Sequence, residues 1–255
     1  MAVSLKYDGS FEGFLTAVFD IYDLKLTLFD FIHPKHGEVN LFNEIHDVIT
    51  DEEKSDRVWK GIEQYFSKKG RSRLYYTFLS EQKDIENVLF ETIAYAFKSK
   101  TNIENDFTYS AVLKVAQMAR SVHREKHRME AFVRFKLTKD NIYFSAVTPD
   151  FNVLPLISKH FEKRYADQQW LIYDLERQFG LFYNLEKVEI VSMDLPKSLD
   201  VSKTDASTFT EEELDFQQLW KDYFNSTNIE SRKNMKLHIR HVPKRYWKYL
   251  SEKQP

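Results

Sequence analysis

Apolar positions along the chain change period twice, and the changes divide it into elements. Residues 3–7 alternate and are rich in β-formers, which predicts a first strand. Asp8-Gly9-Ser10 follows as a turn, with Ser10 placed to cap a helix. Phe11, Phe14, Leu15, Val18, Phe19 and Tyr22 recur at helical spacing and predict an amphipathic helix over 11–26. His33-Pro34-Lys35-His36-Gly37 breaks the pattern, and 38–42 reads as a short strand. Thr50-Asp51-Glu52-Glu53 has the capping-box arrangement and opens a helix to about residue 68. Helices over 71–79 and 84–98 and a polar connector over 102–108 precede the longest helical stretch, 109–129.

At residue 132 helical spacing gives way to alternation. Strands are predicted over 132–137 and 142–147, joined by the hairpin-type segment Thr138-Lys139-Asp140-Asn141. Pro149-Asp150 is a turn, 153–165 a helix, and 170–174, 180–183 and 188–193 three more strands. Residues 195–210 form a polar linker, and Thr210-Glu211-Glu212-Glu213 caps a helix to about 224. A basic stretch over 232–241 and a Pro-started helix over 243–250 close the chain. The expected fold class is α+β. A largely helical region over 1–108 comes first. A long basic helix and a central antiparallel β-β-α-β-β-β sheet over 109–194 follow, then a linker and basic helical segment over 195–255.

Composition narrows the class. Hydrophobic residues at 42% and charged residues at 30% suit a folded core and not a disordered chain. With 6 Gly and 6 Pro, collagen-like and linker-like classes are excluded. There is no Cys, so disulfides, Cys-ligated clusters and a Cys nucleophile are excluded too. No apolar run approaches the roughly 20 residues of a membrane helix, and residues 1–8 lack the apolar region of a secretory signal. A cytoplasmic protein with no membrane role is the expectation.

Charge is unevenly placed. The whole chain has 37 Lys and Arg against 39 Asp and Glu, a net −2. Residues 111–136 hold seven basic side chains against two acidic, and 232–253 hold eight against one, which leaves −14 for the rest. Two such segments make a field that attracts polyanions if they meet, and are merely solvated helix faces if they do not.

Four constellations are candidates for chemistry. Arg120, Arg124 and Arg128 repeat every four residues beside His123 and His127, a cationic ridge able to neutralise phosphates. A zinc pair is disfavoured: Arg124 stands where a zincin has its Glu, and three arginines repel a cation, so no metal is expected. Phe132 and Arg134 fall on one face of the expected strand, where Arg could grip phosphate while the ring stacks a base; core packing is the alternative. Asp150 and Asp174 would form an acid–base pair if they meet, with His127 a third candidate, although Asp174 could simply pair with Arg177 or Arg164. Arg232, Lys244, Arg245 and Trp247 interleave cations and rings, as single-stranded nucleic acid requires, while Tyr246, Trp247 and Leu250 could dock the tail. There is no P-loop, dinucleotide Gly fingerprint or Gly-x-Ser-x-Gly elbow, and no helix-hairpin-helix glycine pattern or zinc finger. Kinases, ATPases, Rossmann dehydrogenases and typical serine hydrolases are disfavoured, and no cofactor is expected.

Several blocks resemble a bacterial family of unassigned activity, associated with DNA metabolism and DNA repair. They are Tyr7-Asp8-Gly9-Ser10-Phe11-Glu12-Gly13-Phe14-Leu15; His127-Arg128-Met129 through Phe135; Pro149-Asp150; His160-Phe161; Arg164; Trp170-Leu-Ile-Tyr-Asp174; Arg232-Lys-Asn234; and Pro243-Lys-Arg-Tyr-Trp247. The resemblance covers nearly the whole chain in order; the run Ser121 to Lys126 departs from it. It implies a genomic neighbour, a radical-SAM protein with a helix-hairpin-helix DNA-binding segment, and some relatives fused to a uracil-DNA-glycosylase-like domain. Lacking Cys, this chain cannot itself hold a radical-SAM cluster. Three functions compete: a protein that binds single-stranded or damaged DNA for the radical-SAM partner, an enzyme acting on a nucleobase or nucleotide through His127 and Asp174, and a scaffold whose acidic body docks a partner.

Overall fold

A computed structural model describes residues 2–35, 37, 42–193, 216, 219, 235, 239, 241–250 and 253. The chain divides into two compact units, Met1–Arg124 and Glu125–Pro255.

In the first unit, β1 (Val3–Lys6) is the middle strand of a three-stranded parallel sheet, between β2 (Phe29–Ile32) and β3 (Glu44–Asp47). Helix α1 (Phe11–Asp23) starts where expected because the Ser10 hydroxyl accepts from the Gly13 N–H. It ends three residues short of the expected 26. Strand β2 is an element the sequence reading passes over, because four residues are too few to establish alternation. Most of the expected strand 38–42 lies outside the described residues, and the observed third strand starts at Glu44.

Helices α2 (Glu52–Tyr65), α3 (Lys68–Phe78) and α4 (Ile85–Ser99) follow. Asp51 caps α2 and Ser67 caps α3, each accepting a backbone N–H three residues on. The Ser67 cap starts α3 three residues before the expected 71. The core is aromatic. Phe11 and Phe14 pack on Phe78, and Tyr75 and Trp59 meet Phe11 edge-on.

Helix α5 (Ser110–Phe132) contributes residues to both units. It outlasts the expected end at 129, and this corrects the strand expected over 132–137. Phe132 is the last helical residue, and only Lys136–Leu137 is strand, β4. The cause is local. Arg134 Nη1 donates to the Ala131 carbonyl at 2.8 Å and the Val133 carbonyl at 3.3 Å, so its side chain satisfies carbonyls at the helix end. Phe132 therefore packs on Tyr246, with ring centroids 5.3 Å apart, and does not share a strand face with Arg134.

The second unit is built on a five-stranded sheet in sequence order: β4, β5 (Tyr143–Val147), β6 (Trp170–Asp174), β7 (Phe179–Tyr183) and β8 (Val188–Val191). Helix α6 (Leu154–Arg164) lies between β5 and β6 in the chain. The α+β class and the β-β-α-β-β-β order match expectation. One pairing does not: β5 and β6 run parallel, while the other three pairs are antiparallel. A helical crossover returns the chain to the edge it started from, so the flanking strands must be parallel. Phe161 of α6 packs against Trp170 of β6 and Phe135. The linker, most of the helix expected from 210 and most of 232–241 lie outside the described residues.

Candidate functional site

Three arginines of the second unit, Arg128, Arg177 and Arg245, are engaged by carboxylates. Glu125, on α5, is 1% exposed. It accepts from Arg245 Nη2 at 2.8 Å, Arg128 Nη1 at 3.4 Å, the backbone N–H of Asp150 at 3.0 Å and the Tyr246 hydroxyl. Arg245 Nη2 also lies 2.6 Å from Asp150 Oδ2, and its guanidinium covers the Tyr246 ring at 4.5 Å. The two basic segments of the sequence thus meet at Arg128 and Arg245, and meet around a buried anion. Burial works against the Arg245 charge, but Tyr246, Glu125 and Asp150 outweigh it and raise its pKa. Burial and the Glu125 charge push Tyr246 up and Asp150 above the ordinary carboxylate value; Arg245 and Arg128 reverse the Asp150 shift only in part. The 3-10 helix Lys244–Tyr249 is held again where the Tyr249 and Thr148 hydroxyls meet at 2.8 Å.

Asp174 is fully buried at the end of β6. Its carboxylate accepts from Arg177 Nη1 at 3.0 Å and from the backbone N–H groups of Glu176 and Arg177. Arg177 in turn donates to the carbonyls of Pro149 and Asp150. The two candidate carboxylates, Asp150 and Asp174, are therefore linked through Arg177, which binds the carboxylate of Asp174 and the backbone of Asp150. His127 Nδ1 sits 3.0 Å from Glu130 Oε2, with Lys126 Nζ on the other oxygen at 2.6 Å. Burial opposes the Glu130 charge, yet Lys126 and the two nearby imidazoles, His160 and His127, hold its pKa below the usual range. Arg164 covers the Tyr165 ring, Lys244 lies 5.9 Å from the centre of the Trp247 ring, and the Trp247 indole donates to the Val242 carbonyl. Arg232 lies outside the described residues.

The first unit offers a different environment. A cleft of about 400 Å³ opens between α3, α5 and the connector that joins α4 to α5. From α3 it is lined by Lys69, Ser72, Arg73 and Tyr76, and from α5 by Ala116, Ala119, Arg120 and His123. Each set steps by three, one and three residues, which is one face of a helix. Phe107, 46% exposed, comes from the connector. Three bonds hold these walls. The Thr77 hydroxyl donates to the Val115 carbonyl at 3.1 Å, and Arg73 Nη1 donates to the Glu104 carbonyl at 3.0 Å and Asn105 Oδ1 at 3.4 Å. The Glu104 carboxylate is turned to the backbone N–H and hydroxyl of Ser67, where it reinforces the α3 cap. Tyr76 and His123 lie with ring planes 21° apart and centroids 6.1 Å apart.

No carboxylate lines this cleft. Among the described residues, Lys69 and Arg120 form no ion pair, and the two acceptors that hold Arg73 are neutral. Arg124, four residues on from Arg120, is exposed and donates to Ser121 Oγ at 3.2 Å. Sequence reasoning found Arg120 and His123 but missed Lys69, Arg73, Tyr76 and Phe107. One signal was present: Lys68, Lys69, Arg71 and Arg73 fall within six residues with no acid among them.

The family model of a domain of unknown function, DUF4130, matches residues 83–252. That is two thirds of the chain. The chain belongs to this family. The DUF4130 match takes in α4, α5 and the whole described sheet of the second unit. It therefore includes Phe107, Arg120 and His123 of the cleft and leaves out Lys69, Arg73 and Tyr76. No curated protein matches the chain. Among the described residues no group of three or more His, Cys, Asp or Glu is placed to hold a metal, and no helix is long and apolar enough to cross a membrane.

Proposed function

We propose that this DUF4130 protein binds DNA, single-stranded or damaged, through the cleft between α3 and α5. The observation that carries the reading is the set Lys69, Arg73 and Arg120, cations unopposed by any lining carboxylate and set beside the rings of Phe107 and Tyr76. Strand phosphates need cations whose charge is still available, and unstacked bases need an exposed ring. Arg128 and Arg245 satisfy neither need as well, because Glu125 and Asp150 already balance them. Action in the cytoplasm beside a radical-SAM helix-hairpin-helix enzyme, with this chain presenting the DNA, belongs to the same proposal and follows the family resemblance.

The test is fluorescence anisotropy of labelled single-stranded and duplex DNA across a salt series. Three neutralised phosphates give a slope of log affinity on log salt of about −2 for single strands and about −3 for duplex. Binding that is indifferent to salt, or to Lys69→Ala with Arg120→Ala, would sink the proposal. A nucleobase-directed enzyme is the second reading, favoured by the carboxylate-oriented imidazole of His127. Loss of base turnover in His127→Ala, with DNA affinity intact, would support it.

A further inference from the structure

We infer that the α3–α5 cleft accommodates a single nucleotide of a DNA strand, with its phosphate among Lys69, Arg73 and Arg120 and its base against Phe107. The inference rests on the DNA-binding reading above and adds the size and chemistry of the unit bound.

Volume sets the first limit. A space of about 400 Å³ lies near the lower end of small-ligand sites, roughly 300–1,000 Å³. It has room for one base and its phosphate, not for a run of stacked bases. Side-chain size on the α5 wall is the second limit. Ala116 and Ala119 occupy lining positions where longer side chains would fill the space, so the hollow is a consequence of two small residues on one helical face. The third observation is preorganisation. Arg73 is fixed by the Glu104 carbonyl and Asn105 Oδ1, so its charge is aimed without being cancelled, and less ordering remains to be done on binding.

Phe107 separates this reading from a plain anion site. A bare phosphate makes no use of a phenyl ring, yet a large apolar ring stands 46% exposed at the edge of a cationic cleft. A base gives that ring a partner, and the stack is indifferent to base identity because every base has a π-face. The cleft would therefore prefer an unstacked or extruded nucleotide over one held inside a duplex, where the base is already paired and stacked.

Isothermal titration calorimetry of the full chain with dAMP, deoxyadenosine and inorganic phosphate tests this. The expected result is dAMP binding about tenfold tighter than either fragment, the scale of one base–aromatic stack. Phe107→Ala should bring dAMP down to the level of inorganic phosphate, and Arg120→Gln should weaken dAMP by about tenfold. Both positions are exposed, and circular dichroism is the check that each variant folds. Equal affinity for dAMP and inorganic phosphate overturns the inference, and so does a Phe107→Ala variant that binds dAMP unchanged. If a labelled single strand binds and responds to Arg120→Gln while dAMP does not bind, the inference fails and the DNA-binding reading stands. If neither binds, both fail.

Discussion

Arg245 Nη2 lies 2.8 Å from a carboxylate oxygen of Glu125, a residue 120 positions earlier in the chain. The same oxygen receives Arg128 at 3.4 Å. One buried acid thus brings together the basic tail and the basic end of α5, and in doing so takes up the charge that made each look like a phosphate contact. Removing it should be costly. Glu125→Ala leaves two arginines and a buried tyrosine hydroxyl without their shared acceptor, and should destabilise the protein by about 3–5 kcal/mol in urea unfolding. Tyr246→Phe removes only one bond to that carboxylate and should cost about 1.5–3 kcal/mol.

Binding variants should divide by unit. Lys69→Ala and Arg120→Ala should each flatten the salt dependence of single-strand binding by about 0.7. Arg128→Ala should leave that slope unchanged, because its charge is already matched by Glu125. Anisotropy at four or five salt concentrations resolves the difference. A slope that changes with Arg128 and not with Lys69 would move the interface to the second unit.

Stability should fall with rising pH through Asp150. Burial, then the Glu125 charge, raise its pKa in the folded protein. A carboxyl raised on folding favours the folded state while it stays protonated. That contribution is complete below the unfolded value, about 3.9, and is lost as pH rises through the folded value. Asp150→Asn cannot ionise, so the stability of the wild type relative to this variant should decline from pH 4 upward. Urea unfolding at half-unit pH steps measures it, and a relative stability that climbs with pH would refute the assignment.

Asp174→Ala should unfold the second unit rather than disable a reaction. It removes the carboxylate that balances Arg177, whose side chain is 7% exposed, and frees two backbone N–H groups of the β6–β7 turn. The expected loss is about 3–5 kcal/mol. A fully stable Asp174→Ala protein would return Asp174 to the list of reactive groups.

Gly70→Ala tests the α3 cap that supports Lys69 and Arg73. Glycine to alanine within a helix ordinarily gains about 1 kcal/mol. Here the new Cβ would sit 2.3 Å from Glu104 Oε2, displacing the carboxylate from Ser67. The variant should therefore be less stable by about 1 kcal/mol, and its affinity for single-stranded DNA should drop.

The elements themselves were largely legible from local pattern. Ser10 caps α1 where the sequence puts it, Asp51 caps α2 one residue after the Thr50 that the capping-box pattern points to, and Trp170–Asp174 is a strand to the residue. Those features depend on neighbours within a few positions, which a sequence displays. The strand expected at 132–137 failed because Arg134 bonds back to the end of α5, an outcome that alternation does not encode. Pairing was less legible still, since β5 and β6 are parallel only because α6 carries the chain back between them.

By itself the sequence determined that this protein is α+β, free of cysteine chemistry and basic in two places. It could not say which of those basic residues pair with a carboxylate. That depends on what lies within about 4 Å of each guanidinium, the reach of an ion pair, and such neighbours come from remote parts of the chain. Glu125 reaches Arg245 across 120 positions, while α3 and α5, each unremarkable alone, set Lys69 and Arg120 around one cleft with no acid between them. Charge is a property of composition; available charge is a property of packing.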